Sequence, residues 1–146
     1  MYKYKTAIIY LTLLLLTNLG TFYWSLYQEY GWVDIAQHLA GGFFVAMFMV
    51  VYLRNNLANN FLKNVVVIVG ATVLVGVLWE FAEYIANQAL IEPSYKYFGI
   101  RAYFMGDLQD TIGDLLNDII GSSVFSLLHF FRSRKRSNSF QSLNAE

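Results

Sequence analysis

The sequence contains no cysteine, one proline and only two histidines among its 146 residues. The absence of cysteine excludes disulfides, thiolate metal ligands and cysteine nucleophiles. Charge is also scarce, because Asp, Glu, Lys and Arg make up 14% of the chain, against about 25% in a typical soluble protein. The ten basic and ten acidic residues cancel, so nucleic acid is not an expected partner.

Apolar residues dominate instead, at 57% of the chain, with 18% aromatic residues. A helix needs about 20 mostly apolar residues to cross a bilayer. Four stretches approach that length, and the fourth is the least apolar. They are residues 6–26, 33–53, 61–87 and 107–131. The pattern predicts an all-α polytopic membrane protein, with one four-helix transmembrane domain over residues 1–131 and the lipid bilayer as its first partner.

Two connectors separate the later spans, "RNNLANN" at 54–60 and a loop at 88–106 that contains Pro93. The first span has an alternative reading as a signal peptide, because "MYKYK" is a basic start followed by apolar sequence. No small-residue cleavage pattern follows it, and "TFYWSLYQ" is more typical of an aromatic interface belt.

The basic residues predict the orientation of the chain, since cytoplasmic loops collect Lys and Arg. Lys96 and Arg101 fall on one side of the predicted bilayer. The other eight fall on the opposite side: Lys3, Lys5, Arg54, Lys63, Arg132, Arg134, Lys135 and Arg136. We therefore expect both termini to be cytoplasmic, with residues 132–146 forming a basic, disordered tail.

This topology brings ionisable residues of three predicted helices to a similar depth in the outer half of the bundle. The second span carries Asp34 and His38, and the third carries Glu80 and Glu83. The fourth span carries Asp107, Asp110, Asp114 and Asp118, which fall within an arc of about 80° on a helix of 3.6 residues per turn. Because an ionised side chain facing lipid costs about 2.5 to 3.5 kcal/mol, these faces should point into the bundle.

Several of these residues also have ordinary structural explanations. Asp107 and Asp110 are suited to cap the start of the fourth helix, whereas Asp114 and Asp118 lie too deep for capping. Asp34 and His38 have the spacing of an internal ion pair. His129 has no acidic neighbour in sequence and is expected to be a satisfied or interfacial histidine.

Small and aromatic residues have simple roles in a membrane protein. The small residues of the second span should permit close helix packing. They are Ala36, Ala40, Gly41, Gly42 and Ala46. The outer aromatic residues predict an interface belt. They are Tyr23, Trp24, Tyr27, Trp32, Tyr95, Tyr97 and Tyr103.

The acids greatly outnumber the nearby cations, and clustered carboxylates cannot all remain ionised in a low dielectric. Either several are protonated or a bound cation neutralises them. Oxygen-rich ligands favour Mg²⁺, Mn²⁺ or Ca²⁺, while Zn²⁺ and iron remain open because of the imidazole. The sequence thus predicts a divalent metal site with six candidate ligands: His38, Glu80, Glu83, Asp110, Asp114 and Asp118.

Three sequence blocks resemble the signature of the YjdF-like family of small integral membrane proteins. They are "DIAQHLAGGF" at 34–43, "WEFAEY" at 79–84 and "GDLQDTIGDLLNDIIG" at 106–121. A weaker similarity connects them to the VanZ-like family. The resemblance implies that the family's polar signature falls on His38, Glu80, Glu83, Asp110 and Asp114, and it implies no established reaction.

Three classes of function remain open from the sequence. The first is a metal-dependent enzyme acting on a lipid or a lipid-linked phosphate or sugar, with His38 as acid or base, Asp34 orienting it and Glu83 as a further catalytic candidate. Lys96, Arg101 and Asn117 are the candidate substrate-binding residues. The second class is a proton- or cation-coupled transporter. The third is an accessory subunit or homo-oligomer whose acids a partner helix neutralises.

Overall fold

The protein is a bundle of helices in which consecutive long helices alternate in direction, so that the second and fourth long helices run parallel to each other. The computed structural model describes residues 4–24, 26–104 and 106–143, without the side chains of residues 27, 28 and 135–143. Its elements are α1 (Tyr4–Tyr23), α2 (Leu26–Glu29), α3 (Trp32–Tyr52), α4 (Phe61–Phe98) and α5 (Leu108–Leu143). The described residues contain no strand, so the predicted all-α class with four long helices is confirmed.

Three helices, α1, α3 and α4, are long and apolar enough to cross a membrane within the described part of the chain. The fourth predicted span corresponds to the first two thirds of α5, which has the length but not the hydropathy because of its aspartates. It still belongs to the bundle, since α5 packs against both α3 and α4. Its acidic face is thereby turned inward, as the cost of charge in lipid requires.

Side-chain contacts establish that α1 and α3 run in opposite directions. Tyr4, at the start of α1, donates a hydrogen bond to the Val51 carbonyl at the end of α3 (3.2 Å). Asn18, near the end of α1, donates to Gln37 in the second turn of α3 (2.8 Å). The start of α1 and the end of α3 therefore share one end of the bundle, called here the terminal end. The opposite end, with α2 and the loop at 99–107, is called the loop end.

The two ends differ in chemistry. At the terminal end, one apolar cluster joins all four long helices. Its buried members are Ala7, Ala46, Met47, Val50, Ile68, Phe125 and Phe130. At the loop end the buried side chains are largely polar or ionisable. The dry core thus occupies one half of the bundle, and the polar residues share the other.

Two boundaries differ from the sequence prediction. The predicted loop at 88–106 is shorter, because α4 continues through Pro93 to Phe98 and ends at Gly99, whose φ of 69° is the left-handed conformation that favours glycine. Proline removes one backbone donor but its φ is compatible with a helix. The tail predicted to be disordered is helical as far as Leu143, since no Gly or Pro follows Gly121 to interrupt α5.

Candidate metal centre

The aspartate stripe of α5 divides into two parts. Asp107 Oδ1 accepts hydrogen bonds from the backbone N–H groups of Gln109 (2.9 Å) and Asp110 (3.1 Å). Asp110 Oδ2 accepts from the Gly106 N–H (3.1 Å). Both side chains are exposed. Asp107 satisfies orphan N–H groups in the first turn of the helix, so the capping explanation is confirmed for it, whereas Asp110 reaches back to the N–H of Gly106, just before the helix.

Asp114 and Asp118, one and two turns deeper, are buried and face α3 and α4. There they meet His38, which is also buried, with 6% of its side chain exposed. Glu80 from α4 joins them, so acids of three helices converge on one imidazole, as the sequence predicted. Their burial in the bundle removes them from both lipid and bulk water.

The imidazole of His38 faces carboxylates on both of its nitrogen atoms. Nε2 lies 3.8 Å from Asp34 Oδ1, 4.0 Å from Glu80 Oε1 and 3.9 Å from Asp114 Oδ1. Nδ1 lies 3.7 Å from Asp118 Oδ2. The first three carboxylates come from three different helices, whereas Asp118 stands alone on the opposite edge of the ring.

These separations are too long for hydrogen bonds, which have donor–acceptor distances of about 2.7 to 3.2 Å. They agree with a shared ion instead. For bonds of about 2.1 Å to one metal, two ligands lie about 3.0 to 4.2 Å apart. Glu80 Oε1 supports the same interpretation, because it is buried and accepts no hydrogen bond among the described residues. A buried carboxylate oxygen without a donor is costly unless a cation approaches it.

Two groups of three residues have ligand atoms within 4.8 Å of one another. One is Asp34, His38 and Asp114, and the other is His38, Glu80 and Glu83. His38 belongs to both, which makes it the central ligand. Glu83 is held by the Trp79 indole, whose Nε1–H donates to Glu83 Oε1 (2.8 Å). The predicted ligand Asp110 is in neither group and accepts its hydrogen bond from the Gly106 N–H.

Glycines create the space that the deep carboxylates occupy. A Cβ on Gly76 of α4 would overlap Asp118 Oδ2, and a Cβ on Gly42 of α3 would overlap the Asp118 backbone. Gly121 of α5 in turn faces the Leu39 carbonyl of α3. Because glycine has no side chain, the helix backbones approach closely at these positions, as small residues permit in membrane bundles. Gly42 and Ala46 are buried as predicted, whereas Ala36 is exposed.

Two openings lead to this centre. The larger is an apolar groove of about 310 Å³ between α1 and α4, which ends at His38 and Asp118. The smaller, about 90 Å³, lies at the loop end, where Asp34, Glu83 and Asp110 meet the rings of Phe22, Tyr103 and Phe104. It is called here the polar mouth. The centre is therefore reached from the side through apolar walls and from the loop end through polar ones.

The remaining candidates lie away from the centre. Lys96 and Arg101 are exposed, with the Lys96 ammonium 5.6 Å from the centre of the Tyr97 ring. Asn117 is half-buried and lines neither the groove nor the polar mouth. His129 lies near the terminal end, with its ring stacked on Phe125 at 5.8 Å. This position agrees with the expectation of a satisfied or interfacial histidine.

Sequence reasoning missed three contributors. Trp79 fixes Glu83, and their spacing of four residues on one helix was the available signal. Gly76 makes room for Asp118. Asn18 and Gln37 are hydrogen-bonded to each other at the edge of the groove (2.8 Å), and their signal was two amides inside otherwise apolar spans.

Comparison with known proteins gives one finding. A family model described as "Predicted membrane protein (DUF2238)" matches residues 3–135, which is most of the chain. The match confirms the resemblance to the YjdF-like family, and it does not test the weaker similarity to VanZ-like proteins. No curated protein and no solved structure matches the chain.

Proposed function

The chain belongs to the DUF2238 family of predicted membrane proteins, and from that premise we propose that it is a divalent-metal-dependent membrane enzyme acting on a lipid or a lipid-linked phosphate or sugar. One observation carries the proposal: carboxylates from three helices lie within 4.0 Å of His38 Nε2, at the inner end of an apolar groove. Metal ligands and an apolar approach together are suited to a substrate that is part lipid and part anion.

In this proposal the ligands are His38, Asp34 and Asp114, whose ligand atoms lie within 4.8 Å of one another, and Glu80 faces Nε2 of the same histidine from α4. A cation held by these residues would supply Lewis-acid chemistry at a phosphoryl or glycosidic oxygen and would lower the pKa of water. Two carboxylates favour a hard cation, and the imidazole adds a nitrogen, so Mn²⁺ is the first probe among the cations expected.

Glu83 is the proposed general base. Its Oε1 is fixed by the Trp79 N–H, and its side chain lines the polar mouth, where water enters. A positioned carboxylate at a water entrance is able to accept a proton from the attacking water. The roles proposed for His38 and Asp34 therefore change from those expected from sequence: both become ligands, and Glu83 takes the proton.

Asp118 is the proposed positioning residue for His38. A histidine that binds metal through one nitrogen usually donates its other N–H to an acceptor, which fixes the tautomer and the ring orientation. Asp118 Oδ2 is the carboxylate that faces Nδ1, at 3.7 Å, in the space left by Gly76, and in this proposal it approaches Nδ1 to hydrogen-bond distance when His38 binds the metal. Asp118 is thus assigned outside the set of direct ligands.

We expect Asp118→Asn to weaken Mn²⁺ binding by about 10- to 100-fold without abolishing it, as loss of an outer-shell partner usually does. Asp114→Asn, which removes a direct ligand, should have the larger effect. Titration of both purified variants with Mn²⁺, followed by its paramagnetic resonance signal, measures the two losses. Equal losses would show that Asp118 is a ligand like Asp114.

The enzyme proposal is tested by metal content and lipid conversion together. The purified protein should carry about one divalent cation per chain, and with Mn²⁺ it should convert a component of natural phospholipid vesicles, detected by mass spectrometry of the lipid extract. Asp114→Asn should lose both properties, and Asp107→Asn, at an exposed cap, should keep both. Wild-type protein without stoichiometric metal, or an unaltered Asp114→Asn variant, contradicts the proposal.

A proton-coupled transporter is the second candidate. Ser122 and Ser126 continue the α5 stripe below Asp118 at intervals of four residues, and both are fully buried, as is Thr72 of α4. This line of hydroxyls favours a path toward the terminal end. The apolar cluster around Phe125 and Ile68 lies across that path, and for this reason we rank the transporter second. Proton flux in proteoliposomes that His38→Ala abolishes would reverse the ranking.

From the basic residues, we further propose cytoplasmic termini.

A further inference from the structure

The groove between α1 and α4 exists because those helices do not approach each other. Among the described residues, no Cα atom of α1 lies within 8 Å of α4 or α5. On its groove side α1 presents Leu11, Leu14 and Leu15, which are too bulky for the close backbone contact that small residues permit. The opposite wall is formed by Thr72, Val75 and Trp79 of α4.

The polarity of the groove changes along its length. On each of three helices, the residue nearer the loop end is polar or amphipathic: Asn18 on α1, His38 on α3 and Trp79 on α4. Further toward the terminal end the walls are mainly apolar, with Leu11 on α1 and Val45 on α3. A lipid in the leaflet at the loop end has the same orientation, with its headgroup near the interface and its chains toward the bilayer centre.

We propose that the groove binds one hydrocarbon chain of a membrane lipid, which enters sideways from the leaflet at the loop end and places its headgroup at the His38 centre. The proposal rests on the proposed function, for which it identifies the substrate class as a lipid of that leaflet. Water then reaches the centre through the polar mouth, so the chain and the water have separate routes.

A hydrocarbon chain fits better than a helix of a second copy. A helix with side chains is about 10 Å across, so a 10 Å length of it fills roughly 800 Å³. The groove holds about 310 Å³. Its walls are also lined mainly by leucine and valine, and the two glycines that line it, Gly41 and Gly76, already face the Asp118 carboxylate, so they are not free for a further helix to pack against. Lipid chains surround the helices at this depth of the bilayer, so they have direct access to a narrow apolar groove.

The test counts lipids retained by the full-length protein. Detergent-purified protein is incubated with dioleoylphosphatidylglycerol and weighed by native mass spectrometry. The wild type should retain one lipid per chain. Val75→Phe, which fills the groove, should retain about tenfold less, which corresponds to about 1.4 kcal/mol. Leu74→Phe is the matched control, because Leu74 is the neighbouring residue on the exposed face and does not line the groove.

Val45→Phe narrows the groove from α3 and should reproduce the loss if Val75→Phe fails to fold. Asp114→Asn separates this inference from the enzyme proposal, since it should lose metal and still retain the lipid. If the wild-type protein retains the lipid but carries no stoichiometric metal, the enzyme proposal is contradicted and the groove assignment stands. Metal without a retained lipid would overturn the groove assignment, as would equal retention by Val75→Phe and Leu74→Phe or a dimer mass in place of the lipid.

Discussion

Replacing His38 with alanine is expected to weaken divalent-metal binding by at least about 100-fold. A ligand bond and its oriented outer shell are lost together, and outer-shell losses alone cost about 10- to 100-fold. His38 is common to both groups of candidate ligands found among the described residues, so its loss disrupts both. Mn²⁺ titration of the purified variant, followed by paramagnetic resonance, measures the effect.

The chain provides its own control for this prediction. His129 is the second histidine, and it lies among apolar rings near the terminal end. His129→Gln should bind Mn²⁺ like the wild type. His38→Gln keeps most of the side-chain volume, so it distinguishes loss of the ligand from collapse of the site. Wild-type affinity in both His38 variants would eliminate the metal centre.

Gly121→Ala is expected to destabilise the protein by about 1 to 3 kcal/mol, the usual cost of inserting a methyl group into a packed interior. The new Cβ would overlap the Leu39 carbonyl and come within 3.0 Å of the Phe43 nitrogen, both on the backbone of α3. Backbone atoms cannot rotate away from the new methyl group as a flexible side chain can. The α3–α5 interface must therefore open, which also draws His38 away from Asp114.

Gly113→Ala is the matched control on the same helix. Nothing lies within 4 Å of a Cβ at Gly113, so the substitution adds only helix propensity, which favours alanine over glycine by about 1 kcal/mol. Thermal unfolding in detergent, followed by circular dichroism, should show a lower midpoint for Gly121→Ala and an equal or higher one for Gly113→Ala. Equal midpoints would mean that α3 and α5 are not tightly packed at Gly121.

Composition and periodicity were sufficient to predict the long helices and the face of α5 that points into the bundle. The apolar runs predicted four long helices, and the spacing of Asp114 and Asp118 identified their shared face. The same local signals failed at the boundaries. Pro93 suggested a break that α4 does not have, since the helix continues to Phe98 although proline removes one backbone donor.

The tertiary structure was needed to distinguish the aspartates that bond backbone N–H groups at the start of α5 from those that are candidate metal ligands. Asp110 and Asp114 belong to the same stripe and look equivalent in sequence, yet Asp110 bonds the Gly106 N–H while Asp114 faces His38. The difference arises from depth, because free N–H groups lie only at the start of a helix. Sequence alone placed both residues among the metal ligands.

The sequence by itself determined that this protein is a helical membrane protein with ionisable residues turned inward, because hydrophobicity and helical periodicity are local properties of the chain. Only the tertiary structure decided that Asp34, Glu80 and Asp114 face Nε2 of His38 while Asp118 faces Nδ1. That assignment depends on how closely three helices approach, and the approach depends on the glycines between them. The groove likewise exists only because α1 packs on α3 and stands apart from α4.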